Sequence, residues 1–123
     1  AHIRGERLMF NFCSIEVPMG WNDIVDKLCE NIEAYAKAMD AEDKIEFVQI
    51  KEKYGELRVY YTMFIENADA EYTIDTLIAN ANEEARHTCV RCGGKATVRT
   101  VNYISPWCDA CAPKREKKVV IKD

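Results

Sequence analysis

Two Cys-x-x-Cys pairs near the end of this chain constrain its fold more than any other feature. Cys89 and Cys92 form the first pair, Cys108 and Cys111 form the second, and 15 residues separate Cys92 from Cys108. Each pair can direct two sulfurs at one metal ion from a tight turn, and the spacer can form a hairpin that returns the second pair. The spacing therefore predicts a tetrahedral Zn²⁺ site with four cysteine ligands inside a zinc-ribbon-like module.

Three other chemistries compete with a structural zinc at these cysteines. Disulfides need an oxidising compartment, which nothing in the sequence indicates. A thioredoxin-like redox pair normally occurs once, beside a βαβ pattern, and we find no such pattern in the sequence. A catalytic zinc keeps an open coordination position, and neither His2 nor His87 begins the His-x-Glu of the nucleobase deaminases. We therefore expect one structural Zn²⁺ and no enzymatic activity.

The charge of the chain changes sign at the same cysteines. Residues 1–88 carry 9 basic and 18 acidic side chains, and residues 89–123 carry 8 basic and 3 acidic ones, so an overall charge of −4 divides into −9 and +5. This boundary predicts two modules: an acidic α+β body over residues 1–88 and a four-cysteine zinc-ribbon module with a basic tail over residues 89–123. Two interpretations of the start stay open: residues 1–8 precede a native start at Met9, or a Met was removed ahead of Ala1.

Composition limits the class of protein. A hydrophobic content of 48% excludes wholesale disorder, and a charged content of 31% excludes an integral membrane protein. No apolar run approaches the roughly 18 residues that span a bilayer, and no secretory signal pattern opens the chain. We therefore expect a cytoplasmic protein with no membrane partner.

Periodicity predicts the order of elements in the body. Apolar residues recur at helical spacing over residues 21–39, which places Cys29 in the core as a small hydrophobe. Residues 45–53 and 57–65 alternate like two strands of a hairpin. A second helix is expected from Asp69, its predicted N-cap, to His87. Residues 9–17 fit either a strand or a packed arm, and residues 119–121 fit a last strand. The predicted fold class is α+β: a helix–β-hairpin–helix body with a C-terminal zinc-ribbon-like module.

Several of these segments together resemble a group of small, uncharacterised zinc-ribbon proteins of bacteria and phages. The resemblance spans residues 20–112 and rests on Gly20-Trp21, on the two Cys-x-x-Cys pairs, and on the block Gln-[Ile/Val]-Lys-Glu-Lys-[Phe/Tyr]-Gly-x-Leu-Arg-[Phe/Val]-Tyr, here residues 49–60. This chain has Glu56 where the group often has a second Gly, and Cys111 where the group often has His. The resemblance implies the architecture and an intracellular setting, but it implies no activity.

Two hypotheses for function follow, and both assign the work to binding. The first is a small zinc-binding accessory protein that contacts a larger protein, for example a phage-encoded binder or inhibitor of a host protein. The alternative is a nucleic-acid-binding zinc ribbon that uses the basic segment, although four thiolates with Zn²⁺ would lower its charge from +5 to about +3. The candidate partner or nucleic-acid contacts are Arg91, Lys95, Arg99, Trp107, Lys114, Arg115, Lys117 and Lys118.

Two smaller features each have two possible interpretations. The hairpin turn could present Lys51, Lys53 and Arg58 beside Tyr54 as a recognition tip, or its charges could simply be solvated. His87 could hydrogen-bond a zinc thiolate, or it could be a surface histidine at a helix end.

Overall fold

Two helices and two small sheets form the α+β fold of the computed structural model, which describes residues 8–122. In chain order the elements are β1 (Ser14–Glu16), α1 (Asn22–Ala38), β2 (Ile45–Lys53), β3 (Glu56–Met63), α2 (Ala68–Arg86), β4 (Val98–Thr100), β5 (Pro106–Trp107) and β6 (Lys118–Val120). The first sheet has the order β1-β2-β3 and the second has the order β5-β4-β6. The predicted fold class is therefore confirmed.

Helix α1 forms where the apolar spacing predicts it. Its buried residues recur every three or four positions and face the core: Ile24, Val25, Leu28, Cys29, Ile32 and Ala36. The helix ends because Asp40 adopts a left-handed backbone conformation with φ 55°, and the Ala41 amide donates to the Ala36 carbonyl at 2.8 Å. Cys29 is fully buried in the hydrophobic core, as predicted.

Strand β1 pairs in parallel with β2, so β1, α1 and β2 form a βαβ unit. The sequence-based statement that no βαβ pattern is present is therefore wrong. The strand lies within residues 9–17, where the sequence leaves a strand and a packed arm open, but three residues with one apolar side chain, Ile15, are too few to predict its parallel pairing. The Cys-x-x-Cys pairs lie after α2, outside this unit.

The β2–β3 hairpin matches its predicted position and contains one irregularity. The buried residues of β2 are Ile45, Phe47 and Ile50, which change from odd to even positions because a bulge lies between Phe47 and Gln49. The bulge leaves Val48 without a cross-strand partner and half exposed. Positive φ values at Tyr54 and Gly55 give the two-residue turn that matches the twist of a hairpin.

Helix α2 covers the outer edge of β3. The Asn82 carboxamide oxygen accepts a hydrogen bond from the Leu57 amide at 2.8 Å, and the Tyr61 hydroxyl donates to Asp75 at 2.7 Å. These contacts with α2 protect the edge strand β3 from pairing with other chains.

The N-cap of α2 is Asn67, whose side chain accepts a hydrogen bond from the Ala70 amide at 3.0 Å. The prediction of Asp69 as the cap is therefore wrong.

The N-terminal segment is both arm and strand. Met9 and Phe10 are buried in a short 3₁₀ turn, and the Phe10 ring stacks on Phe47 with centroids 4.6 Å apart. Phe47 stacks in turn on Tyr61 at 5.1 Å. Residues 1–7 lie outside the described residues. They make up most of residues 1–8, the segment whose origin the sequence leaves open. Across residues 8–122, neither helix is long and apolar enough to cross a bilayer.

Candidate metal centre

Four cysteine sulfurs lie close enough together to share one metal ion. The Sγ atoms of Cys89, Cys92, Cys108 and Cys111 all lie within 4.8 Å of one another, and those of Cys92 and Cys108 are 3.7 Å apart. Thiolates bound to Zn²⁺ at about 2.3 Å in a tetrahedron are separated by about 3.8 Å. These four residues can therefore hold a metal ion, and they form the single such cluster found among residues 8–122.

The first cysteine pair is held in a tight turn by its own backbone. The Gly93 amide donates to the Cys89 carbonyl at 3.0 Å, and the Cys89 amide donates to the Gly94 carbonyl at 2.8 Å. Gly93 has φ 82°, a conformation that a residue with a side chain rarely adopts. The Gly94 amide points at the Cys92 sulfur at 3.3 Å. This contact helps to fix the position of the Cys92 sulfur within the turn.

The second cysteine pair follows β5 and has a similar turn. The amides of Cys111 and Ala112 both donate to the Cys108 carbonyl, at 3.3 and 3.0 Å. Strand β4 lies between the two pairs in sequence and pairs with β5 and with β6. The spacer thus forms a hairpin that returns the second pair to the first, as the spacing predicts.

Electrostatics within the cluster favour a bound cation. Burial opposes ionisation of Cys89, but backbone hydrogen bonds from Cys92, Cys108 and Arg91 outweigh it and lower its pKa to about 6. The pKa of Cys111 is raised to about 12, first by its side-chain hydrogen bond with Cys108 and then by desolvation. Thiolates this close repel one another, so full ionisation of the cluster requires a positive charge at its centre. Four sulfur ligands would complete a tetrahedral shell around a zinc ion, an arrangement typical of structural sites.

The first cysteine turn packs directly on the start of α1. The Gly20 amide donates to the Val90 carbonyl at 2.8 Å, and the indole N–H of buried Trp21 donates to the Thr88 carbonyl at 3.0 Å. A Cβ atom on Gly20 would lie 2.0 Å from the Cys89 carbonyl oxygen. Gly20 and Trp21 therefore fix the position of the first cysteine turn, a role that neither residue type indicates, although the pair is part of the resemblance.

The predicted contact residues divide into two sets. The exposed set is Arg91, Lys95, Lys114, Arg115 and Lys117. The other three, Arg99, Trp107 and Lys118, are half-buried and make internal hydrogen bonds. Arg99 Nη2 donates to the Arg86 carbonyl, Trp107 Nε1 donates to Thr100 Oγ1, and Lys118 Nζ donates to the carbonyls of Pro113 and Glu116. These three side chains hold the module together.

His87 lies at the end of α2, next to the metal cluster in sequence. Its Nδ1 atom is 3.0 Å from the Glu83 carbonyl oxygen and 3.5 Å from the Glu83 carboxylate, and the ring is partly buried. Its backbone carbonyl accepts from the Ala96 amide at 2.9 Å. The backbone of His87 thus joins α2 to the four-cysteine segment, residues 89–122, here called the metal module.

Comparison with protein-family models, with curated proteins and with solved structures found no match to this chain. The interpretation of the cysteine cluster therefore rests on its geometry and on the residues around it.

Proposed function

We propose that the four cysteines hold one structural Zn²⁺ and that the protein is a small accessory protein that acts by binding a larger protein. The observation that carries the first part is the cluster of four sulfurs within 4.8 Å. The proposed setting is the cytoplasm, where thiols stay reduced and available to a metal.

A structural role for the metal is supported by the weak core of the C-terminal module. Its buried residues are few and mostly small: Cys89, Ala96, Thr100 and Pro106. A segment of this size buries too little apolar surface to fold alone. The apparent binding free energy of a structural zinc, on the order of 10–16 kcal/mol, is large enough to order it.

The identity of the metal is tested by replacement of cobalt with zinc. A tetrahedral four-thiolate site binds Zn²⁺ more tightly than Co²⁺, so one equivalent of Zn²⁺ should bleach the thiolate-to-cobalt absorption of the Co²⁺-loaded protein. Retention of the cobalt spectrum after that addition would argue against a zinc site.

A protein partner is supported by exposed apolar side chains on the same small module. Five large apolar residues of the module are exposed: Val101, Tyr103, Ile104, Val119 and Val120. Exposed aromatic and aliphatic groups are typical of protein interfaces. Three of the eight residues suggested for phosphate or base contacts make internal hydrogen bonds instead, which weakens the nucleic-acid alternative.

Affinity capture from the native host tests the binding function. The zinc-loaded chain should retain one protein stoichiometrically, and treatment of the lysate with nuclease should leave that capture unchanged. A salt-dependent gel shift with random DNA or RNA, abolished when Lys114, Arg115 and Lys117 are reversed to Glu, would instead favour the nucleic-acid alternative. The narrower form of this proposal, by analogy with other small zinc proteins, is that a phage-encoded chain inhibits a host protein.

A further inference from the structure

We propose that the protein partner docks on one surface, here called the tip–loop surface, and that it does so with an acidic segment carrying apolar side chains. The surface consists of the hairpin tip (residues 53–55), the β4–β5 loop (residues 101–104) and the basic loop (residues 114–117). This inference rests on the proposed binding function and names its site and the chemistry of its partner.

The hairpin tip and the β4–β5 loop are in contact although they are far apart in sequence. Gly55 is buried, and a Cβ atom at this position would lie 3.0 Å from Ile104 Cγ2 and 3.1 Å from the Ile104 carbonyl oxygen. Tyr54, the other residue of the turn, stays exposed beside this contact. The tip of the acidic body and the metal module therefore form one continuous surface at this point.

The basic loop adjoins the β4–β5 loop on its other side. The Val101 amide donates to the Lys117 carbonyl at 3.0 Å, which continues the pairing of β4 with β6. The Lys118 ammonium group donates to the carbonyls of Pro113 at 2.5 Å and Glu116 at 2.9 Å. Because Lys118 fixes the backbone of this loop, less conformational entropy is lost when Lys114, Arg115 and Lys117 meet a partner.

The surface has apolar side chains between its charged ones. Tyr54, Val101, Tyr103 and Ile104 are exposed to between 39% and 65%. The three segments carry four cations, Lys53, Lys114, Arg115 and Lys117, and one carboxylate, Glu116; the Glu52 carboxylate, which accepts from the Gly55 amide at 2.8 Å, lies at the tip as well, so the surface stays positive. Protein interfaces combine apolar side chains with charged ones, and the net positive charge of this surface selects an acidic partner.

Two alternatives fit the observations less well. Nucleic acid would gain only about four phosphate contacts here; the exposed rings of Tyr54 and Tyr103 could stack on bases, but Val101 and Ile104 offer only aliphatic surface. The cleft of about 570 Å³ beside the first cysteine turn is lined by Asp23, Lys27 and Glu84, whose mixed charges select no partner.

Peptide titration followed by NMR tests the proposal on the zinc-loaded full chain. The 15N-labelled chain is titrated with a synthetic peptide that is rich in Glu and also carries Leu and Phe. The two comparison ligands are the same peptide with Lys in place of Glu, and single-stranded oligo-dT. We expect dissociation constants of about 100 µM or tighter for the acidic peptide. Amide shifts should concentrate in residues 53–55, 101–104 and 114–117, and the Lys version should leave them unchanged.

Paired variants distinguish apolar from charged contributions. Tyr103→Ala with Ile104→Ser, and separately Lys114→Glu with Lys117→Glu, should each weaken peptide binding by about 10-fold, or about 1.4 kcal/mol. The matched controls Tyr72→Ala and Lys37→Glu change exposed residues on the two helices and should leave binding unchanged.

Three results would overturn the proposal: no shifts with the acidic peptide, shifts confined to the cleft beside Asp23 and Glu84, or tighter binding of oligo-dT at the same residues. These outcomes differ from failure of the proposed function. A captured host protein whose binding ignores both paired variants would refute this surface and leave the binding function standing.

Discussion

Gly20 and Thr100 each determine local geometry, Gly20 because it has no side chain and Thr100 because of its hydroxyl group. Gly20 has no side chain, so its backbone approaches the Cys89 carbonyl more closely than a Cβ atom would allow. Thr100 is a buried polar residue of the second sheet, and its hydroxyl oxygen accepts from the Ser105 amide at 3.1 Å and from the Trp107 indole at 3.3 Å. Neither residue is a metal ligand, yet both support the segments that carry the ligands.

The substitution Gly20→Ala should destabilise the zinc-loaded protein. The added methyl group overlaps backbone atoms of Cys89 and Val90, which cannot rotate away as a side chain would. We expect a loss of about 1–3 kcal/mol in the free energy of unfolding, measured by denaturant titration. Met19→Ala, a change at the exposed neighbouring residue, is the control and should cost less than about 0.5 kcal/mol. Equal effects of the two substitutions would contradict the close approach at Gly20.

The substitution Thr100→Val should also be costly although it preserves shape. It leaves the amide of Ser105 and the indole N–H of Trp107 without their acceptor, and buried unsatisfied donors cost about 1–3 kcal/mol each. Thermal unfolding should report a lower Tm than for Thr100→Ser, which keeps the hydroxyl. A Thr100→Val protein as stable as the Ser variant would refute the role of this hydroxyl.

At the scale of elements, apolar periodicity predicted the structure of the long segments but not that of the short ones. Helix α1 and the hairpin follow from their apolar spacing, because many buried residues repeat the same signal. Strand β1 stayed one of two interpretations of residues 9–17 because three residues carry no period. The bulge at Val48 was missed because the run Phe47–Val48 gives apolar residues in both phases, and only pairing with Tyr60 and Tyr61 decides which faces inward.

The cap of α2 gives a test of an element boundary. Asn67→Ala removes the acceptor of the Ala70 amide and should lower the free energy of unfolding by about 1 kcal/mol. Asp69→Ala removes only a favourable charge from the first turn, so it should cost about 0.3–1 kcal/mol at low salt and less at high salt. The salt dependence of the two losses distinguishes them, and a larger, salt-independent loss for Asp69→Ala would restore Asp69 as the cap.

At the scale of the whole molecule, the cysteine spacing predicted which four sulfurs lie together, because two Cys-x-x-Cys turns joined by a hairpin bring them to one point. The sequence did not reveal how the module attaches to the body, since those contacts are backbone hydrogen bonds at Gly20 and His87 that leave no pattern of side chains. It also assigned Arg99, Trp107 and Lys118 to a partner, because residue type alone does not distinguish an exposed side chain from one bound to a neighbouring carbonyl or hydroxyl.

Removal of the metal should therefore loosen one part of the molecule first. In hydrogen exchange with a zinc chelator, the amides of Gly20, Ala96, Thr97 and Val101 should lose protection because their acceptors belong to the metal module or to its junction with the body. The amides that join β2 to β3 should keep theirs, since the hydrophobic core around Phe47 and Ile50 contains no metal ligand. Uniform loss of protection along the chain would show a single cooperative unit instead.

Native mass spectrometry of the zinc-reconstituted, reduced full chain tests the central claim most directly. The predicted result is a mass increase of about one zinc ion per chain, absent in the Cys92→Ser/Cys108→Ser variant and present in Cys13→Ser, whose thiol lies outside the cluster. A chain that binds no zinc, or a Cys92→Ser/Cys108→Ser variant that binds as much zinc as the unaltered chain, would contradict the account.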